Sequence, residues 1–305
     1  MVFVSIVTTA YNRAYRLTKV YESLLTQTDK DFEWVVVDDG STDNTKDLVT
    51  SFIEEKKIVI KYFFKENGGM HTAMNLGVSK AEGLFTLKLD SDDWLLENAI
   101  ERVRYYYESE LWKKGGKREL SGICFLNSDP EGNIIGDKFK EDLFVSDYIS
   151  VRLVDRVRGD KSEVILTEKR KEVPYMVFPG EKRYPTSGVL ITLAKKYDMI
   201  FTNESIYIRD YLADGISKSG RQKGYFSTPE GKIHHTNLFL TKEFNRKTRF
   251  KKAREYMSYG LYAKKNIYKH IQKSNAPFLV CFMFPRCFAG YIYNRFTERL
   301  KGRKR

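Results

Sequence analysis

Three aspartates follow one short apolar run, at a spacing that can bind a metal ion. Residues 87–95, LKLDSDDWL, read as a strand that ends in Asp90, Asp92 and Asp93. Alternate side chains of an extended segment share a face, so Asp90 and Asp92 can point into the same space. Such acids repel one another unless a cation or several donors satisfy them, and Mg²⁺ or Mn²⁺ prefers oxygen ligands. The alternative is a solvated acidic turn in which Asp92 or Asp93 caps the next helix.

Strands and helices alternate along the first 95 residues, which is typical of a parallel α/β sheet. The predicted strands span residues 2–9, 32–37, 58–64 and 84–89. The polar loops that follow or overlap their ends are residues 8–13, 38–43, 67–75 and 90–93. Ligands bind beyond the carboxyl ends of parallel strands, so we expect all four loops to face one crevice. This convergence favours the metal site over the acidic turn.

Four motifs resemble those of a known family. They are TTAYNR (8–13), VVVDDGSTD (35–43), NGGMHTAMNLG (67–77) and LKLDSDDW (87–94). Their order and spacing resemble the nucleotide-sugar-binding half of the inverting family 2 glycosyltransferases. That family has the GT-A fold, a Rossmann-like α/β fold with a mostly parallel central sheet flanked by helices. Further segments resemble a bacterial branch that elongates surface polysaccharides, namely residues 128–139, 159–164, 178–185 and 203–217.

The resemblance implies a donor site for a nucleoside diphosphate sugar, with a UDP-sugar as the expected donor. Tyr11 would stack on the base, Thr9 would help to hold it, and Asp39 would accept a hydrogen bond from its imide N–H. Asp38 would brace the turn. His71 could donate to the diphosphate or the base, and its alternative is a purely structural histidine.

The resemblance also implies different roles within the acidic cluster. Asp90 would face the ribose, and Asp92 would bind the metal ion of the diphosphate. Asp93 either completes the coordination shell of the metal ion, Mg²⁺ or Mn²⁺, or it caps the following helix. His234 and His235 are expected in a polar loop. They would supply a late metal ligand or would be an exposed pair without a role.

The catalytic base departs from the family pattern. Relatives carry a carboxylate just after the GEKxxP segment, or a Glu-Asp pair on a helix facing the acceptor, and here Thr186 follows that segment. A threonine hydroxyl cannot act as a general base near neutral pH. We therefore expect Asp210 or Asp214 to take this role, with Glu181 as a further candidate.

The rival functions are a catalytically impaired donor-binding partner protein and a nucleotidyltransferase, although the lysine-containing glycine loop of the latter is missing after the first strand.

Charge separates a catalytic body from a basic tail in the 305-residue chain, whose net charge is +13. Residues 241–305 contain 18 Lys or Arg and 3 Asp or Glu, whereas residues 1–240 contain 35 and 37. We therefore predict a glycosyltransferase domain over 1–240, with a donor half at 1–100 and an acceptor half at 101–240, and a helical extension over 241–305. The near-neutral body argues against a nucleic-acid binder.

The tail is expected to lie on an anionic membrane surface. Its apolar run, residues 276–293, is barely long enough to span a bilayer, and it contains two prolines and Arg286. The alternatives are a helical hairpin packed on the body and the contact of a homodimer. Without a leader-like start or a paired cysteine framework, the chain is expected in the cytoplasm, on the inner face of the membrane. Its acceptor would be a lipid-linked or cell-surface saccharide.

Overall fold

The structure, a computed structural model, describes residues 2–210 and 228–302. Its strands are β1 Val4–Ala10, β2 Phe32–Asp38, β3 Val59–Phe64, β4 Phe85–Lys88, β5 Trp94–Leu95, β6 Leu120–Ser128, β7 Phe144–Ser146, β8 Lys161–Leu166 and β9 Asp198–Ile208. Its helices are α1 Ala14–Leu25, α2 Thr45–Glu54, α3 Met70–Lys80, α4 Ala99–Tyr107, α5 Glu110–Lys114, α6 Thr167–Glu172, α7 Ser187–Leu193, α8 Pro229–Leu238, α9 Arg246–Tyr262, α10 Ile267–Gln272 and α11 Pro277–Gly302, with a π-helical turn at Ile149–Val154.

The strands form one mixed sheet in the order β3-β2-β1-β4-β8-β6-β9-β5, and β7 pairs with β9. The first four run parallel, as predicted. β8 is antiparallel to both β4 and β6, and β6 is parallel to β9. Six strands therefore share one direction, while β5, β7 and β8 oppose it. Because β8 is reversed, its amino end lies at the edge where β4 ends.

Local sequence explains the first half of the sheet. β1 and β2 are rich in β-branched residues and are buried along almost their whole length, as central parallel strands are. In α1, Leu17, Val20 and Leu24 recur at helical spacing and pack in the core. Trp34 is fully buried beside Tyr21. This α/β arrangement confirms the predicted fold class.

The described residues divide into two compact units. The first comprises the chain up to Tyr175 together with the segment from Val189 onward that contains β9. The second comprises Met176–Gly188 and the helices α8 to α11. The predicted boundary at residue 240 differs from this division, since α8 and α9 on either side of that residue belong to one unit.

The predicted helical tail is present as α9, α10 and α11. Its core is formed by apolar side chains of α9 and α11 and of the segments before each, namely Leu240, Ala253, Tyr256, Met257, Leu261, Ala276, Val280, Met283 and Cys287. Tyr256 stacks on the His270 ring of α10. Among the described residues, no helix is long and apolar enough to cross a bilayer.

Candidate functional site

The carboxylate of Asp39, at the end of β2, organises the glycine loop before α3. It accepts hydrogen bonds from the backbone N–H groups of Gly68 at 2.9 Å and Gly69 at 2.7 Å. Lys65 Nζ lies 2.7 Å from one oxygen, and Asn67 Nδ2 lies 3.2 Å from the other. Asp39 is almost fully buried, and four donors satisfy its charge. The loops after β2 and β3 are thus joined, as the sequence predicted.

The loops after β1 and β2 are also joined. Asn12 donates its backbone N–H to Ser41 Oγ at 2.8 Å, and its side-chain oxygen accepts from the N–H of Thr42 at 2.8 Å. Asp38 accepts from the Ser41 N–H at 2.7 Å and from the Tyr62 hydroxyl at 2.7 Å, which confirms that it braces the turn. Glycine is needed at position 40 in this turn, because a Cβ there would lie 2.7 Å from the backbone nitrogen of Asn67.

Tyr11 and Thr9 lie at the same edge with different exposure. Tyr11 is 50% exposed, although the neighbouring Asn12 is hydrogen-bonded to the loop after β2. Thr9, one residue before the end of β1, is half-buried. An exposed ring next to an ordered loop can offer a stacking face to a planar ligand.

His71 is buried in the first turn of α3, and its Nδ1 has no hydrogen-bond partner. Burial lowers the pKa of this imidazole, while Asp39 raises it and Lys65 lowers it further. His71 is therefore a neutral ring with an unsatisfied polar atom. A buried polar atom without a partner is costly in a folded protein, so it is a candidate for ligand contact.

Asp90, at the end of β4, is held between two cations. Its oxygens lie 2.6 Å from Lys88 Nζ and 2.8 Å from Arg209 Nη2. Its backbone N–H donates to the Tyr207 hydroxyl at 2.9 Å. Burial alone would raise the pKa of Asp90, but Lys88 and Arg209 hold it below its ordinary value. Asp90 is ionised and fixed in place.

Arg209 also contacts Asp93 and Asp160. Arg209 Nε lies 3.3 Å from Asp93 Oδ2, and Nη1 lies 2.7 Å from Asp160 Oδ2. Tyr207 donates its hydroxyl to Asp93 Oδ2 at 2.8 Å. Burial raises the pKa of Asp93 to about 7 against the opposing charge of Arg209. One guanidinium thus connects carboxylates that follow β4, precede β5 and precede β8.

Asp92 is the unengaged acid of the cluster. Its half-buried side chain forms no hydrogen bond or ion pair with any residue in the described ranges. No group of three His, Cys, Asp or Glu within those ranges is arranged to hold a metal. Mg²⁺ is usually bound by one or two carboxylates together with substrate phosphates, so the free oxygens of Asp92 fit such a cation. Both oxygens of Asp93 already have partners, because Oδ1 accepts from the Asp210 N–H at 3.1 Å.

Asp210 lies directly beside this cluster, since it follows Arg209 and its backbone contacts Asp93. Its half-buried carboxylate lies 3.7 Å from Arg16 Nη1 of α1. Asp214, the other predicted base, lies outside the described residues. Thr186 is exposed.

Glu181 has a structural position that argues against its role as a base. Its oxygens accept from the backbone N–H groups of Glu230 at 2.7 Å and Gly231 at 2.8 Å, at the start of α8. Both oxygens of this carboxylate therefore already accept hydrogen bonds at the amino end of a helix.

The loop predicted for His234 and His235 is wrong, because both residues lie in α8. His234 Nδ1 lies 2.8 Å from the Tyr184 hydroxyl, and His235 Nε2 lies 2.9 Å from Ser187 Oγ. Burial, with the nearby charges of Lys252 and His234, lowers the pKa of His235 to about 3. Pro229 at the first turn favours the helix, which the polar composition had obscured.

The sequence alone did not assign five residues of this site, namely Arg209, Tyr207, Asp160, Lys88 and Lys65. The signal for two of them was a period-2 pattern, because Tyr207 and Arg209 alternate at the end of an apolar strand. Asp160 carried no local signal, since its position depends on the reversed direction of β8.

Comparisons of sequence agree with this geometry. The model of the Glycosyl transferase family 2 matches residues 5–110. An uncharacterized glycosyltransferase of Haemophilus influenzae is 33% identical over 184 residues, which cover 60% of this chain and 68% of the relative. Glycosyltransferase GlyG of Streptococcus pneumoniae is 27% identical over 216 residues, covering 67% of this chain and 69% of the relative. Other relatives are much longer: in four of them the match spans between 14% and 31% of their length.

Solved structures share the fold at low sequence identity. S. aureus TarS 1–349 in complex with UDP-GlcNAc has a TM-score of 0.63 at 18% identity, covering 89% of this chain and 76% of that one. Mannosyltransferase PcManGT from Pyrobaculum calidifontis, in complex with GDP-Man and Mn2+, has a TM-score of 0.55 at 12% identity, covering 97% and 82%. With its GT-A fold and the H. influenzae relative, the chain belongs to glycosyltransferase family 2.

Proposed function

We propose that the chain transfers a sugar from a UDP-sugar to a hydroxyl of a saccharide, with inversion at the anomeric carbon and with Mg²⁺ or Mn²⁺. The observation that carries the proposal is the position of Asp92, a carboxylate that has no partner within residues 2–210 and 228–302, among acids that are already satisfied. The similar folds of TarS with UDP-GlcNAc and PcManGT with GDP-Man and Mn2+ support a nucleotide-sugar donor.

The first three loops would hold the nucleotide. The exposed Tyr11 ring stacks on the base, and Thr9 contacts it from the end of β1. Asp39 accepts the imide N–H in exchange for the Asn67 amide, whose 3.2 Å bond is the longest of the four that it makes. His71 turns its unpartnered nitrogen toward the donor.

The acidic cluster would meet the ribose and the diphosphate. Asp92 would hold the cation, which would supply positive charge against the charge that grows on the leaving diphosphate. Asp90 faces the ribose, with its carboxylate oriented by Lys88 and Arg209. Arg209 and Tyr207 position Asp93, whose predicted role as a second metal ligand competes with its bonds to Tyr207 and Asp210.

Asp210 is the base that we assign. Its carboxylate takes the proton of the acceptor hydroxyl while the oxygen bonds to the anomeric carbon and the bond to the diphosphate breaks. Attack on the face opposite the leaving group inverts that carbon. Asp214 is the alternative base.

We further propose that the acceptor is a lipid-linked or cell-surface saccharide, and that the protein acts on the inner face of the membrane. The 15 excess positive charges of residues 241–305 support an anionic surface as partner.

A panel of UDP-sugars, incubated with Mg²⁺ or Mn²⁺, tests the proposal through release of UDP and transfer to saccharide acceptors. Metal-dependent turnover of one donor is the expected result. Tight UDP binding without transfer to any acceptor would instead indicate a donor-binding partner protein. Release of pyrophosphate from a nucleoside triphosphate would indicate a nucleotidyltransferase.

A further inference from the structure

Helix α11 has two apolar faces, and only one of them is covered. The covered face carries Val280, Met283 and Cys287, which are buried against α9. Phe284 and Tyr291 are partly buried beside them. An ordinary surface helix has a single apolar stripe and a polar face opposite.

The opposite side of α11 is apolar and exposed over four turns. Phe278 is 92% exposed and Phe282 is 71% exposed. We call this the outer face of α11, and it consists of Phe278, Cys281, Phe282, Pro285, Ala289, Ile292 and Tyr293, all of them exposed. Their spacing of three and four residues places them along one line of the helix.

The outer face continues onto α9. The ring of Phe250 lies 6.4 Å from that of Phe282, edge to face, and it is itself partly exposed. Single exposed apolar residues are common on soluble proteins and need no explanation. A continuous row of aromatic and aliphatic side chains is different, because such a patch marks a surface that meets another apolar phase or partner.

The charge around the outer face indicates what that partner is. Arg286 is an exposed residue of α11 itself, and Arg254 of α9 lies beside this helix, because its backbone carbonyl accepts a hydrogen bond from the Cys287 thiol at 3.6 Å. Residues 241–305 carry a net charge of +15. A second copy of this chain would bring the same positive charge to the contact and would be repelled. Anionic lipid head groups complement it.

We propose that the outer face of α11 docks on an anionic bilayer. Phe278 and Phe282 enter the boundary between head groups and acyl chains, and the flanking arginines and lysines contact the head groups. A helix of this kind lies in the plane of the interface and does not need the length of a spanning helix. The proposal rests on the membrane association proposed above, and it does not require transferase chemistry.

Flotation with vesicles tests the proposal on the full chain. Vesicles of phosphatidylcholine with about a third phosphatidylglycerol should carry the protein upward, whereas pure phosphatidylcholine should carry much less, and added salt should release it. Each of Phe278→Ser and Phe282→Ser should lower the partition coefficient about tenfold. The matched control is Phe64→Ser, because Phe64 is also an exposed phenylalanine, at 59%, and lies in β3 of the other unit.

Cys281 allows an independent measurement of membrane insertion that needs no substitution in the chain. It is exposed on the outer face, whereas Cys124 and Cys287 are buried, so a polarity-sensitive dye will label Cys281 selectively in the folded protein. Anionic vesicles should shift its emission to the blue. Equal flotation of wild type and of a variant that carries both Phe278→Ser and Phe282→Ser, or an unshifted dye on bound protein, would overturn the proposal. If wild type does not float but forms a dimer, and the double variant stays monomeric, the outer face binds a second copy instead.

Discussion

Asp92 differs from its neighbours in what surrounds it. Asp90 is satisfied by Lys88 and Arg209, and Asp93 by Tyr207 and Arg209. Asp90 is held as the anion by two cations, and Asp93 is buried with both oxygens engaged, so these two acids are suited to shape a site. Asp92, which has no partner in the part of the chain that the structure describes, keeps its oxygens for a ligand. Within residues 90–93, the packing therefore holds Asp90 and Asp93 in place and leaves Asp92 to bind a ligand.

Asp92→Ala should lower metal-dependent turnover of the UDP-sugar by at least about 100-fold, because the charge on the leaving diphosphate loses its Lewis acid. Asp92→Asn should retain little more, since a neutral amide binds Mg²⁺ poorly. Turnover is measured as UDP release across a titration of Mn²⁺. The control is Asp155→Ala, which removes an exposed carboxylate remote in sequence. Normal turnover in Asp92→Ala would contradict the metal assignment.

Asp210→Asn should abolish transfer and leave UDP binding intact, because the amide cannot accept the acceptor proton. We expect kcat to fall about 100-fold or more, with the Kd for UDP changed less than twofold. Calorimetry with UDP and a transfer assay separate the two. Asp214→Asn is the comparison: if that variant is inactive and Asp210→Asn is active, Asp214 is the base.

Glu163 should make stability depend on pH. Burial raises the pKa of this β8 carboxyl from 4.5 to about 7, against the charges of Arg152 and Lys88. Between these values the folded state binds more protons than the unfolded chain, so the free energy of unfolding falls as pH rises from about 4.5 to 7. The loss could reach about 3 kcal/mol. Glu163→Gln should flatten this slope in urea titrations at pH 5 and 7.5, and an unchanged slope would contradict the shift.

At the scale of elements, the direction of β8 decides the site. A parallel strand there would carry Asp160 away from the edge where β4 and β9 end. Because β8 is antiparallel to β4, Asp160 reaches Arg209 and completes the set of acids around that guanidinium. The glycine loop shows the same dependence on neighbours, since Asp39 of β2 holds the N–H groups that precede α3.

Glu181→Ala should destabilise the second unit through α8. Two N–H groups at the start of that helix would lose their acceptor, and losing a cap costs about 0.5–2 kcal/mol. We expect a lower urea midpoint with an unchanged Kd for UDP. Glu168→Ala is a suitable control, because Glu168 is a largely exposed glutamate of α6. Loss of transfer at full stability would instead restore Glu181 as a candidate base.

At the scale of the molecule, the basic tail is part of a folded unit. The covered face of α11 supplies Val280, Met283 and Cys287 to the core that it shares with α9. Its outer face is left for a partner. The same helix therefore contributes to stability on one side and to docking on the other, and the two contributions can be separated by mutation.

Deleting residues 274–305 should lower thermal stability strongly, because it uncovers Tyr256 and Met257 of α9. Each apolar side chain left exposed costs about 1.5–3 kcal/mol. Differential scanning fluorimetry measures the change. The matched variant is Phe278→Ser with Phe282→Ser, which keeps the covered face and should melt within a degree or two of wild type. A truncated protein that melts normally would show that α11 does not belong to this core.

Much of the donor half could be predicted from sequence because its information is local. Apolar runs and polar loops located β1 to β4, and parallel strands bring their carboxyl ends to one edge. The contacts of Asn12 with Ser41 and of Asp39 with Gly68 confirm that three of the predicted loops meet. The metal and base assignments at Asp92 and Asp210 stay predictions for the experiments above.

What the sequence determined by itself was the family pattern, the strands of the donor half, their polar loops and the charge contrast between body and tail. Only the tertiary structure decided which acids are satisfied. Asp90 and Arg209 are 119 residues apart, and their contact depends on the order and direction of β4, β8 and β9. Strand order is a property of the whole sheet, because each strand can pair only when its neighbours are in place. Among the residues that the structure describes, that arrangement leaves the Asp92 carboxylate without a partner.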